Sequence, residues 1–122
     1  MILKLDHVQL AMPAGREDEA RGFYAGVLGL IEVPKPPDLA RKGGAWFKSE
    51  GIEVHLGVEE GFRPAKKAHP AFVVADLEVL KAALRRAGHE VTMGSPIAGR
   101  TRCFTVDPFG NRLEFLQLEA QG

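Results

Sequence analysis

The sequence predicts an α+β protein built from two βαβββ modules in one chain. Three observations carry that prediction. A charged stretch containing Gly and Pro, Glu59–Lys67, divides the 122 residues into halves of similar length. Each half reads strand, helix, strand, strand, strand. Anchor residues keep step across the division: His7 and His69 are 62 positions apart, Gly29 and Gly88 are 59 apart, and Glu53 and Glu114 are 61 apart. Residues 1–60 form module one, 61–67 a linker and 68–122 module two of a single domain.

Module one opens with Leu5-Asp6-His7-Val8-Gln9-Leu10, a short alternating strand that Pro13 and Gly15 end. Glu17, Asp18 and Glu19 place negative charge where a helix N-terminus favours it. Ala20, Phe23, Tyr24, Val27 and Leu28 then recur at helical spacing, and Gly29 stops the helix. A strand follows at 30–33. Lys35-Pro36-Pro37-Asp38 reads as a loop. Residues 45–48 and 52–58 read as two strands joined at Glu50-Gly51.

Module two opens with a strand over 68–74. Asp76 is the expected N-cap of a helix whose apolar stripe is Leu77, Leu80, Ala83, Leu84 and Ala87, with Gly88 as its stop. Residues 90–93 form a strand and 94–99 a loop. The strands 102–106 and 112–118 are joined by Asp107-Pro108-Phe109-Gly110-Asn111, where Pro at the second position and Gly at the fourth suit a type I turn.

Composition narrows the function classes. Hydrophobic residues make up 45% and charged residues 26%, which is neither disordered nor fibrous. No apolar run approaches the ~18 residues of a membrane span, and the alternating N-terminus is unlike a signal peptide. The single cysteine, Cys103, excludes an internal disulfide and a thiolate zinc cluster; it is expected to be a buried structural residue. These features lead to a cytoplasmic location as the expectation. Sixteen Lys and Arg balance sixteen Asp and Glu, which argues against a dedicated nucleic-acid binder.

Strand alternation places the polar residues. Ile52, Val54, Leu56 and Val58 take one face of their strand, and Glu53, His55 and Gly57 the other. Val8 and Leu10 oppose His7 and Gln9, and Leu113 and Phe115 oppose Arg112 and Glu114. If helices cover the apolar faces, His7, Gln9, Glu53, His55, His69 and Glu114 fall on the uncovered one. Such a face is solvated in many antiparallel sheets. Three histidines with two carboxylates are also a ligand set for Zn, Ni, Mn or Fe(II).

The sequence resembles the vicinal oxygen chelate superfamily of glyoxalases, extradiol dioxygenases, fosfomycin-resistance transferases and bleomycin-resistance proteins. The resemblance is carried by Leu5-Asp6-His7-Val8, Phe23-Tyr24 with Leu28-Gly29-Leu30, Ile52-Glu53-Val54-His55-Leu56, His69-Pro70-Ala71-Phe72-Val73-Val74 and Asp107 through Phe115. It implies sheets that curve around a cavity, with a divalent metal ion on His7, His69 and Glu114. Glu53 matches a fourth ligand of glyoxalase-like members and is also the candidate catalytic base; His55 is its rival as ligand. The resemblance further implies a homodimer with shared cavities, in which His7 of one chain meets His69 and Glu114 of the other. The leading function is a metal-dependent isomerase or lyase acting on a small oxygenated substrate. The alternatives are a metal-free, bleomycin-resistance-like binding dimer, a fosfomycin-type thiol transferase and a dioxygenase.

The candidate substrate-binding residues are Gln9, Trp46, His55, Arg100, Arg102 and Phe104. Arg100 and Arg102 flank a Gly-containing loop before a pocket strand, where a guanidinium fork suits an anionic group. Trp46 and Phe104 are candidates for an apolar wall. No Gly-rich phosphate loop, His-Glu-x-x-His, serine nucleophile elbow or cysteine pair is present.

Overall fold

A computed structural model describes residues 1–120; residues 121 and 122, the end of the second module, lie outside the described residues. The chain divides into two compact units, Met1–Pro64 and Ala65–Gly122. Each carries one four-stranded mixed sheet, so the fold is α+β.

In the first unit the strands are β1 (Val8–Met12), β2 (Ile31–Val33), β3 (Ala45–Ser49) and β4 (Ile52–Val58), in the order β1-β4-β3-β2. β1 runs parallel to β4; the other pairs are antiparallel. The second unit has β5 (Ala71–Val73), β6 (Thr92–Met93), β7 (Arg100–Val106) and β8 (Arg112–Leu118), in the order β5-β8-β7-β6. Again the first strand is parallel to the last. The two sheets therefore share one topology, and the sequence repeat is a structural repeat.

β1 starts three residues later than the alternation suggests. Among the described residues its only sheet neighbour is β4, and their pairing begins at Val8 with Val54 and runs to Met12 with Val58. Leu5 is exposed and outside the sheet. Strand limits follow the partner, whereas alternation marks only the face.

The first helix also differs. Residues Glu17–Ala20 form α1, and Arg21–Val27 continue as a π-helix, with the Leu28 N–H donating to the Phe23 carbonyl at 2.9 Å. Gly22 and Gly26 are weak α-formers inside this stretch. The wide turn keeps Ala20, Phe23 and Tyr24 buried on the sheet and leaves Val27 and Leu28 half-buried. Part of the 35–38 loop is helical, because Pro37 begins a short helix, α2 (Pro37–Ala40), at a position where its missing N–H costs nothing.

α3 (Leu77–Arg86) follows the sequence closely. The Asp76 carboxylate accepts the Val79 N–H at 3.1 Å, and Gln117 from β8 accepts the Leu77 N–H at 2.8 Å. Gly88, at φ 88°, ends the helix in a conformation open to glycine. Leu77 and Leu84 are buried, each burial worth about 2 kcal/mol. The 90–93 strand shortens to β6, and β7 begins two residues earlier than expected.

Candidate functional site

Cross-strand partners share a sheet face, so register shows which residues meet. In the first unit Gln9 and Trp46 both pair with His55. Together with Glu53 they lie on the face opposite buried Leu10, Phe47, Val54 and Leu56. His7 directly precedes β1. Its ring stacks on His55 at 4.1 Å and 18°, while Trp46 stacks on His55 at 3.9 Å and 5°. His55 is only 6% exposed, and its Nε2 has no hydrogen-bond partner; the nearest carboxylate oxygen, Glu53 Oε1, is 3.4 Å away. Gln9 folds over Gly57, where a Cβ would fall 2.6 Å from the Gln9 amide nitrogen.

His7 Nδ1 lies 2.9 Å from the Asp6 carboxylate. That hydrogen bond holds the Asp6 carboxyl below its ordinary value. Bonding at Nδ1 leaves His7 Nε2 as the outward nitrogen, with no hydrogen-bond partner among the described residues.

The second unit repeats this arrangement. His69 Nδ1 is 2.8 Å from the Lys67 carbonyl oxygen, which only accepts, so Nδ1 carries the proton. His69 Nε2 then faces Glu114 Oε1 at 2.9 Å. An imidazole nitrogen and a carboxylate oxygen so placed are both metal-donor atoms. Glu114 is 7% exposed, and Arg102 Nη1 donates to its Oε2 at 3.3 Å. Burial pushes the Glu114 carboxyl up, but the hydrogen bonds from His69 and Arg102 outweigh it and hold the group below its ordinary value.

Arg102 also donates through Nε to the Ser95 carbonyl at 3.1 Å. Phe104 pairs with Glu114 across β7 and β8, and its ring meets His69 edge-on at 5.5 Å. Arg100 is exposed at the start of β7. Cys103 is fully buried, and desolvation pushes its thiol pKa up.

The structure thus gathers His7, Gln9, Trp46, Glu53 and His55 on one sheet face, and His69, Arg102, Phe104 and Glu114 on another. Among the described residues, no three His, Cys, Asp or Glu side chains gather closely enough to hold an ion between them. The pair His69–Glu114 nevertheless fits a divalent ion by donor type: one imidazole nitrogen fixed by a backbone acceptor at its other nitrogen, and one buried carboxylate. Arg112 was not singled out as a site residue by sequence reasoning. The signal was present, since it stands two residues before Glu114 on the same face.

No helix among the described residues is long and apolar enough to cross a membrane. No curated protein sequence matches the chain. Among solved structures, a protein assigned to the glyoxalase family from Bacillus anthracis is 45% identical, with a TM-score of 0.93 and 98% of each chain covered. A variant of the fosfomycin resistance protein FosX from Listeria monocytogenes, crystallised with Mn(II) and 1S,2S-dihydroxypropylphosphonic acid, shares the fold. Its TM-score is 0.80 at 14% identity, over 98% of this chain and 95% of that one. A glyoxalase/dioxygenase from Nostoc punctiforme has a TM-score of 0.72 at 19% identity, over 92% and 90%. With the paired βαβββ topology and this relative at 45% identity, the family model that matches residues 4–115 identifies the lineage: the chain belongs to the Glyoxalase/Bleomycin resistance protein/Dioxygenase superfamily.

Proposed function

We propose that this protein is a divalent-metal-dependent, glyoxalase-like enzyme acting on a small oxygenated substrate by isomerase or lyase chemistry. The observation that supports it is the matched tethering of His7 and His69. Each donates or shares its Nδ1 with an acceptor one or two residues away, Asp6 or the Lys67 carbonyl, and so presents Nε2. Ligating histidines are commonly held this way. The proposed ligands are His7 of one chain with His69 and Glu114 of the other chain of a dimer, since no three such donors gather within the described residues of one chain, and Glu53 is the fourth ligand or general base.

A bound divalent ion would supply Lewis acidity, stabilising negative charge on a substrate oxygen. The remaining work falls to the chain itself. Arg102, itself held by the Ser95 carbonyl, fixes the Glu114 carboxylate in place. Glu53, half-buried beside His55, takes a proton from the carbon next to a carbonyl. Trp46 and Gln9 orient the substrate over the first unit's sheet. The active species is a homodimer.

Titration with Mn(II), followed by electron paramagnetic resonance, tests the ligand set. His69→Ala should weaken binding at least tenfold, since a direct ligand matters no less than the groups that orient it. Unchanged affinity would reject the assignment. Glu53→Gln should retain Mn(II) if Glu53 is the base, and lose it if Glu53 is a ligand. Sedimentation should give a dimer; a monomer would undo the shared cavity and with it the ligand set.

A further inference from the structure

The second unit holds a guanidinium, that of Arg112, that no carboxylate among the described residues neutralises. Arg112, the first residue of β8, lies over the Phe104 ring with its central carbon 4.1 Å from the ring centroid. Arg102 contacts the same ring at 5.1 Å, but its nitrogens are engaged by Glu114 and Ser95. Arg112 is half-buried and makes no ion pair among the described residues. A guanidinium resting on an aromatic face keeps its in-plane N–H donors for another partner.

A cavity of about 310 Å³ opens beside it, walled by Arg112, Lys66, Thr92, Phe104, Val106 and Glu90. That volume is at the small end of ligand pockets, about 300–1,000 Å³. Two cations and two threonines line the cavity with one carboxylate; the Thr105 hydroxyl donates to the Glu90 carbonyl, so Thr92 supplies the available hydroxyl, and both Glu90 and Lys66 are exposed at the rim. Phe104 and Val106 supply an apolar wall. Phe104 is also the link to the candidate site: it pairs with Thr92 on one side and Glu114 on the other, and its edge meets His69.

We propose that this cavity binds an oxyanion group, carboxylate or phosphate-type, at one end of the substrate. Arg112 is the principal donor, and Lys66 adds charge at the rim. The carbon skeleton lies along Phe104 toward His69. The cavity narrows the substrate class to short oxygenated acids. The claim that the anion belongs to a substrate rests on the proposed enzyme function; the anion site itself does not.

The test uses chelator-treated protein, so that no metal ion contributes to anion binding. Inorganic phosphate and acetate are titrated separately while backbone amide shifts are followed by NMR. At least one should give saturable shifts at Thr92, Phe104, Val106 and Arg112, and the tighter of the two names the head group. Arg112→Gln should weaken binding at least tenfold, a loss of about 1.4 kcal/mol. Arg112→Lys should retain part of it. Arg86→Gln, the same charge loss on exposed α3 surface, should leave it unchanged. Absence of saturable shifts with both anions, or equal affinity in Arg112→Gln, would overturn the proposal. Failure of the metal reading would appear separately, in the Mn(II) titration.

Discussion

Trp46 lies flat on His55, ring centroids 3.9 Å apart and planes within 5°, and His7 covers the opposite side of the same imidazole. The stack buries His55 while leaving its Nε2 without a hydrogen bond. A buried unsatisfied polar group costs about 1–3 kcal/mol. His55→Phe keeps an aromatic ring between Trp46 and His7 and removes that cost. Urea unfolding should therefore show equal or higher stability, by about 1 kcal/mol, and substrate affinity should fall. A stability loss of about 2 kcal/mol or more would mean that the nitrogen has a partner in solution.

Arg102 and His69 together hold the Glu114 carboxyl below its ordinary value of 4.5. A carboxyl lowered on folding contributes stability above its unfolded pKa, and that contribution is lost as pH falls through the folded pKa. In Arg102→Gln one of the two donors goes, so the Glu114 pKa should rise and the acid unfolding transition should move to higher pH. Carbon-detected NMR titration of the Glu114 side chain reads this directly. An unchanged Glu114 titration would show that Arg102 does not reach the carboxylate.

The 107–111 turn is closed by two backbone hydrogen bonds and braced by the Asp107 side chain. Asp107 Oδ1 accepts the Phe109 and Asn111 N–H groups at 2.9 Å each, and its Oδ2 accepts the Asn111 amide at 3.0 Å. Asn111 in turn accepts the Ala65 N–H at 3.1 Å, tying the start of the second unit to β8. Asp107→Ala leaves buried donors unpaired and should cost about 3 kcal/mol. Denaturant unfolding checks it; a loss under about 1 kcal/mol would show that water replaces the carboxylate.

Alternation made much of the site legible. A strand's side-chain period is fixed at two, so Glu53 and His55 had to share a face, as did Arg112 and Glu114. The cap at Asp76 and the stop at Gly88 were legible because each is a local hydrogen bond or a local dihedral. The π-helix was not. Over two turns, apolar residues at Ala20, Phe23 and Tyr24 fit a π-helix as well as an α-helix, and the sequence does not reveal which carbonyl Leu28 bonds. The tether on His7 is adjacent in sequence, but that on His69 is a backbone carbonyl, which every residue carries. The Trp46–His55–His7 stack depends on strand register, which alternation leaves open.

The proposal that matters most is that His7 of one chain and His69 and Glu114 of the other hold a divalent ion. Its most direct test is elemental analysis of native protein purified without chelator or affinity tag, alongside the His7→Ala variant. About one divalent ion per chain is expected in the native protein, and its loss in the variant. No metal in either, even after reconstitution with Ni, Zn, Mn and Fe(II), would contradict it and point to a metal-free binding protein.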